Sequence, residues 1–228
     1  MSRRNWAIVP IKSFATAKSR LSARLTAQQR EQLSEVMLFD VLSALSKTNG
    51  LSGVLVVTNE TGAMTMSRKF GFSVMNETDH FGPTHAIGDA IRTLVQDGCT
   101  GILALMGDLP LITEADISQI LTAHSSDRAV TLVPSHNNLG TNAAFCAPPE
   151  IIPLTFNGRG LADHLRLGQL AGAETHILDL PRVALDLDQP EDISTLIAMP
   201  SSCKTRSFLL EIAQSGALAQ SIQQKKTG

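Results

Sequence analysis

The chain has 228 residues, 43% of them hydrophobic and 18% charged, with a formal net charge of −2 at pH 7. This length buries one sizeable core, and near-neutral charge without a massed basic block argues against nucleic acid or an acidic membrane surface as partner. Three cysteines, Cys99, Cys146 and Cys203, stand far apart with no CxxC pair, which excludes a zinc knuckle or a disulfide framework and points to a reducing cytoplasm. No stretch approaches the ~18 consecutive apolar residues of a membrane span. The N-terminal run MSRRNWAIVPIKSF is broken by Pro10 and Lys12 too soon for a signal peptide. The composition therefore suggests one domain over residues 1–200 and a tail over 201–228.

Trp6 to Ile11 is the first buried strand, and it runs into Lys12, Ser13, Lys18, Ser19 and Arg20. Cations beside the small residues Ala15, Thr16 and Ala17 suit either the phosphates of a nucleotide or a solvated basic face, since neither GxxxxGK nor GxGxxG is present. Thr26 then caps a helix whose Leu33, Val36, Met37, Val41, Ala44 and Leu45 form one apolar stripe, closed by Gly50. Val54 to Val57 is a second strand, Asn59 to Lys69 a short helix, and Phe72 to Met75 a third strand. A helix from Thr84 to Val95, entered through Phe81-Gly82-Pro83, carries His85 to the ligand edge, as a binding group or as an ordinary satisfied histidine.

The stretch Ile102 to Ile112, ILALMGDLPLI, organises the rest. A run apolar at every position is a strand covered on both faces, so Asp108 leaves the sheet at a carboxyl end, where ligands bind in open α/β sheets. Gly107 allows close backbone approach and Pro110 fixes the turn, which suits a metal-holding carboxylate or a plain helix-capping turn. Thr113 caps a helix to about His124, and Ala129 to Val133 is another strand, followed by the polar turn Ser135 to Asn138. In Leu139-Gly140-Thr141-Asn142-Ala143-Ala144-Phe145, small residues would let backbone amides face a ligand. Asn157-Gly158-Arg159-Gly160 opens a helix from Leu161 to Leu170, either an anion site or a plain flexible loop. Val183 to Asp188 reads as a strand ending with Asp186 and Asp188 on one face, and Pro190-Glu191-Asp192 starts a helix. Two carboxylates ~4 Å apart repel by roughly 4 kcal/mol at an effective dielectric near 20, so a divalent cation belongs with them, and all-oxygen ligation favours Mg²⁺. The tail, Lys204 to Lys226, is a last helix that packs on the body or on a second subunit, so a homodimer is one of two arrangements allowed.

With these motifs in place, VPIKSFATAKSRL, MGDLPLI, LGTNAAF, FNGRGLADH and ALDLDQPEDI, the whole chain resembles the 2-phospho-L-lactate guanylyltransferase family (CofC/FbiD) within the MobA-like nucleotidyltransferases. The resemblance implies a Rossmann-like, three-layer α/β/α fold with a mixed, mostly parallel sheet, as in nucleotide-diphospho-sugar transferases. It implies transfer of GMP from GTP to a phosphorylated three-carbon acid (2-phospho-L-lactate, phosphoenolpyruvate or 3-phosphoglycerate), Mg²⁺ as cofactor, and a place in making the deazaflavin coenzyme F-420. Residue by residue, Asp108, Asp186 and Asp188 fall where the family holds its metal. Lys12, Ser13, Lys18, Arg20, His85 and Gly107 fall around GTP, and Thr141, Asn142, Ala143, Asn157 and Gly160 around the acid. Lys18, Arg20 and Asp108 are the expected catalytic groups. Nucleotidyl transfer to a sugar phosphate or molybdopterin, and a non-catalytic nucleotide-binding regulator, are the competing readings. Two positions depart from the family: Asn157 and Gly160 stand where Gly and Ser are usual, and Pro83-Thr84-His85 where a Leu-Asn pair is common. A missing Ser side chain would leave space at Gly160, and Asn157 adds an amide, which leans the acid toward a hydroxylated one such as 3-phosphoglycerate.

Overall fold

A computed structural model describes residues 4–77 and 82–215. Seven strands form one sheet in the order β3-β2-β1-β4-β6-β5-β7, where β1 is Asn5–Pro10, β2 Gly53–Val57, β3 Ser73–Met75, β4 Gly101–Leu105, β5 Ala129–Pro134, β6 Thr141–Ala147 and β7 Glu174–Ile177. β6 runs antiparallel to both β4 and β5, and the other pairings are parallel. The chain winds outward from β1 through β2 to β3 and then returns to place β4 on the other flank of β1. That reversal opens a crevice beyond the ends of β1 and β4, the usual ligand position in such sheets.

Every residue of β4 is buried. Leu103 and Leu105 join the core cluster beneath α1 (Ala27–Lys47), α2 (Thr61–Lys69), α4 (Glu114–Thr122) and α6 (Pro181–Ala184). Ile102 and Ala104 join the opposite cluster with α3 (Pro83–Gln96) and α5 (Leu161–Leu170). The unbroken apolar run is thus a strand with helices on both faces, each fully buried Leu or Ile contributing about 1.5–3 kcal/mol. The expected three-layer α/β/α sandwich is the observed fold.

The capping signals at Thr26 and Thr113 are realised as capping boxes. Asp116, inside the second box, also takes a bidentate pair from Arg182, Nε to Oδ2 at 2.8 Å and Nη2 to Oδ1 at 2.6 Å. Burial alone would push the Asp116 carboxyl up, but Arg182 and the Thr113 cap hold it below the usual range. This lock ties α6 to α4 and so sets the direction in which the chain leaves toward Asp186.

One expected element is corrected. Val183 to Asp188 is no strand: Pro181–Ala184 is a single helical turn, and the chain from Leu185 is extended but unpaired. The alternation is real all the same, with Leu185 and Leu187 buried and Asp186 and Asp188 partly open. Its cause is packing against Leu21, Leu33 and Leu196, not a ladder. β7, with the polar sequence ETHI, was invisible to apolar periodicity because it is an edge strand.

Of the expected tail helix, α8 spans Lys204–Gln214, and the part beyond 215 lies outside the described residues, as does Phe81. Leu209 and Ile212 pack with Leu33 and Met37 of α1 and Leu196 of α7 (Pro190–Ala198). Asp40 of α1 caps α8, accepting from the Lys204 amide at 2.9 Å, the Thr205 amide at 2.8 Å and the Thr205 hydroxyl at 2.7 Å. The described part of the tail therefore belongs to the body.

Candidate active site

The loop after β1 carries two 3-10 turns, Phe14–Thr16 and Ser19–Ala23, with Lys18 between them at φ 55°, ψ 34°. A left-handed lysine is uncommon and persists where its surroundings demand it. Here the demand is electrostatic. The Lys18 ammonium donates to Asp108 Oδ2 at 2.7 Å and to Asp188 Oδ1 at 2.8 Å, with its side chain only 7% exposed. Burial would lower its pKa, and the two carboxylates outweigh burial and raise it. Asp188 is pushed up by burial, but Lys18, Arg20 and His136 prevail and its pKa falls. Arg20 reaches Asp188 Oδ2 only at 3.4 Å and is largely exposed.

Asp108 stands just beyond β4, and Asp188 is held by the start of α7, where Asp192 accepts from the amides of Asp188 and Gln189 at 2.9 and 2.6 Å. Asp186 faces the same charges without a lysine of its own. Burial pushes its carboxyl up, and Asp108 and Asp188 push it further. It receives the Asn142 amide at 3.3 Å and lies 3.4 Å from His136 Nδ1. Among the described residues no three His, Cys, Asp or Glu side chains gather as a ready metal-ligand set. Lys18 stands between Asp108 and Asp188, while among the described residues Asp186 pairs with no lysine or arginine.

This network borders a cavity of about 340 Å³. Its lining includes Lys12, Lys18, Gly107 and Asp108, together with Glu77, Pro83, Ala86 and Met37 of α1. Ser13 is exposed in the same loop as Lys12. A side chain at Gly107 would meet the tip of Ile11, so this glycine lets Ile11 pack under the loop beside the cavity. His85 is exposed on the first turn of α3, whose contributions to the lining are Pro83 and Ala86.

The residues expected around the acid lie across β4. Thr141, Asn142 and Ala143 are inside the sheet, with Ala143 paired to both Leu105 and Val133, so the expected row of free amides is not presented there. What the strand offers is side chains. Asn142 Nδ2 donates to the Val183 and Ala184 carbonyls, both at 3.0 Å, as well as to Asp186. Thr141 turns to the other face and its hydroxyl meets His164 Nδ1 at 3.0 Å. Asn157 Oδ1 accepts the Arg159 amide at 2.9 Å in a local turn. The presumed space at Gly160 does not exist: a side chain there would be driven into the Thr155 carbonyl and meet His164 Cε1 at 3.2 Å. The open space that favoured a bulkier acid is thereby removed, while the Asn157 amide stays exposed.

His136 and His164 were missed as site residues. The rule that singled out Asp108, a polar residue just past a strand at the carboxyl edge, applies equally to His136 after β5. His164 carried no signal beyond lying one helical turn after Leu161 on an apolar face.

A parallel sheet with one reversed strand, and a lysine clamped between two carboxylates at its switch point, has the frame of a nucleotidyltransferase. In fold the chain is similar to a protein from Desulfovibrio desulfuricans G20, provisionally assigned as a nucleotide-diphospho-sugar transferase, with a TM-score of 0.75 at 13% identity, covering 96% of this chain and 98% of that one. The family profile described as "Guanylyl transferase CofC like" matches residues 5–226, and the chain belongs to that family. It is 34% identical over 192 residues to the phosphoenolpyruvate guanylyltransferase of Conexibacter woesei, covering 84% of this chain and 86% of the relative. It is 28% identical to the 2-phospho-L-lactate guanylyltransferase of Methanoculleus marisnigri, covering 89% and 86% respectively. The 3-phospho-D-glycerate guanylyltransferase of Colwellia psychrerythraea is also 28% identical, with 88% and 94% covered.

Proposed function

We propose that this protein transfers GMP from GTP to a phosphorylated three-carbon acid and releases pyrophosphate. The observation that carries the reading is the Lys18 clamp: its ammonium has three donors, two are held by Asp108 and Asp188, and the third remains for a phosphate oxygen at the cavity. The acid's phosphate oxygen attacks the α-phosphorus, a P–O bond forms in line with the one to the β-phosphate, and that bond breaks to release pyrophosphate. A phosphate nucleophile is already ionised at neutral pH, so the protein's work is to position and to neutralise charge. Lys18 offers its remaining donor to the triphosphate, and Lys12 and Arg20 add mobile charge at the exposed mouth. Glu77, toward the β3 side of the cavity, suits a base with adjacent N–H donors, which guanine has and adenine and cytosine lack.

Mg²⁺ fits this chain through Asp108 and Asp186, since Mg²⁺ commonly takes one or two carboxylates and completes its shell with phosphates and water. The support is the crowding of Asp186 by burial, Asp108 and Asp188, which a cation would offset, and the all-oxygen donors. When bound, the ion would neutralise the α-phosphate and polarise it. Asp188 then serves to anchor Lys18 and Arg20. The GMP-linked acid is the kind of intermediate that coenzyme F-420 biosynthesis consumes. With no space at Gly160 and a phosphoenolpyruvate guanylyltransferase among the relatives, phosphoenolpyruvate is the first acid to test.

The test is incubation with Mg²⁺, each nucleoside triphosphate including ITP, and each of the three acids, reading pyrophosphate release and product mass. GTP-dependent formation of a diphosphate-linked adduct, lost in EDTA and weakened with ITP, is expected. Pyrophosphate release without an acid adduct, or equal use of CTP, would overturn the reading.

A further inference from the structure

His164 is fully buried, touches none of the site carboxylates, and is not used by the transfer step described above. It lies on α5 with its amide bonded to the Gly160 carbonyl at 2.9 Å, and its ring spans two other elements. Nε2 faces the Thr155 amide at 2.8 Å, and Nδ1 faces the Thr141 hydroxyl at 3.0 Å. An amide N–H can only donate, so Nε2 must present a lone pair, and in the neutral ring the proton is on Nδ1. Burial holds the ring neutral by lowering its pKa, which the neighbouring Asp163 opposes only in part. Nδ1–H therefore donates to Thr141 Oγ1. A hydroxyl that accepts this bond keeps its own proton for another acceptor, and its rotation is no longer free.

We infer that His164 is a positioning residue for acid recognition, fixing the Thr141 hydroxyl as a donor aimed at the phosphorylated acid while Nε2 holds the Thr155–Gly160 loop against it. The inference rests on the proposed function together with the family resemblance, which implies that Thr141 lies beside the acid. Two further contacts show that the arrangement is built. The next amide of the loop, Phe156, donates to Thr84 Oγ1 of α3 at 2.9 Å, which ties the acid side to the helix bordering the nucleotide cavity. At Gly160 a side chain would meet the Thr155 carbonyl and the His164 ring, so the loop supplies backbone there and leaves Thr141 as the oriented hydroxyl.

The two ring nitrogens can be separated. In His164→Asn the amide nitrogen takes the place of Nδ1 and can donate to Thr141, while in His164→Gln the amide oxygen takes the place of Nε2 and can accept from Thr155. With GTP saturating and phosphoenolpyruvate varied, His164→Gln should raise the KM for the acid about tenfold, the range of one hydrogen bond, with the KM for GTP within about twofold of wild type. His164→Asn should keep the acid KM within about threefold and show a lower melting temperature instead. Thr141→Val should match His164→Gln, Thr141→Ser should behave as wild type, and the double variant Thr141→Val/His164→Gln should be no worse than Thr141→Val. Multiplying effects in the double variant, or equal rises in the KM of both substrates, would show that His164 acts only through the fold.

The ring tautomer, read from the long-range ¹H–¹⁵N spectrum of the intact protein, needs no turnover. An Nδ1–H tautomer is expected, and an Nε2–H tautomer overturns the inference even if transferase activity is present. A correct tautomer in a protein that forms no GMP adduct would instead sink the functional reading and remove the acid that Thr141 was to recognise.

Discussion

In the proposed function the two flanks of β4 would each hold an anionic ligand, and they are built by opposite means. On the nucleotide flank the groups are ionised and partly wet: Lys18 bridges Asp108 and Asp188, which remain 28% and 39% exposed. On the acid flank the groups are neutral and dry: Thr141, His164 and Thr155 form a hydrogen-bonded chain around a fully buried imidazole. Ionic groups can be re-partnered when a triphosphate arrives, because a lysine has spare donors and its carboxylates can turn to another cation. A buried neutral chain has one satisfied arrangement, and leaving any member unpaired costs about 1–3 kcal/mol. The first flank therefore supplies charge, and the second supplies a fixed shape.

The contrast breaks most severely at Asp108. Asp108→Asn should cost at least about 10²-fold in turnover, since it removes charge stabilisation where phosphate charge develops, while circular dichroism stays near wild type and stability falls by about 1–3 kcal/mol, because the buried Lys18 ammonium loses one of its two balancing charges. Next comes the lysine. Lys18→Ala should weaken GTP binding and also lower stability by about 1–3 kcal/mol, toward the lower end because water reaches both carboxylates it abandons. Arg20→Ala, at 3.4 Å on the exposed side, should slow transfer while leaving stability within about 1 kcal/mol. Equal losses in both variants would mean the clamp is no more than a solvated basic face.

On the dry flank, installing the Ser that the resemblance leads one to expect should do harm. Gly160→Ser forces a side chain against the Thr155 carbonyl and His164, so a loss of about 1–3 kcal/mol and a raised KM for the acid are expected. A gain in acid affinity would show that the loop can move aside. Acid should also distinguish the flanks. The folded-state pKa of His164 lies below its ordinary value near 6.5, so the unfolded chain binds the extra proton more readily. Its contribution is present above about pH 6.5 and is lost as pH falls below that value. Denaturant midpoints measured from pH 7 to 5 should fall in wild type and fall less in His164→Gln.

The sequence made one flank far more legible than the other, for a physical reason. Loop charges such as Asp108, Lys18 and Asp186 follow apolar runs and turn residues, so pattern and edge position found them. The pairing of Lys18 with Asp108 and Asp188 spans 90 and 170 residues and leaves no local trace. Thr141 and Gly160 were located by motif, but their local chemistry was misread. A glycine looks like open space in a sequence, whereas here the neighbouring chain has already filled it. The alternation over Leu185 to Asp188 was correct and its interpretation as a strand was not, because an extended segment packed on leucines has the same period of two as a paired one.

The smallest expected effect concerns Asn157. Its amide suggested a partner for an extra hydroxyl on the acid, yet the side chain is exposed and its Oδ1 is bonded to the Arg159 amide at 2.9 Å. That turn leads into Gly158 at φ 78°, so the side chain stabilises a sharp local bend. Asn157→Gly removes one partly solvated hydrogen bond and adds backbone freedom to the unfolded chain, which together cost about 0.5–1.5 kcal/mol. If the acid is chosen by the fixed Thr141 hydroxyl, the ratio of kcat/KM for phosphoenolpyruvate to that for 3-phosphoglycerate should be the same in Asn157→Gly as in wild type, within about twofold. A shift of tenfold or more, with melting unchanged, would move substrate choice from the buried chain to the exposed turn. The acid flank would then resemble the nucleotide flank, using a mobile group at the surface in place of a fixed one inside.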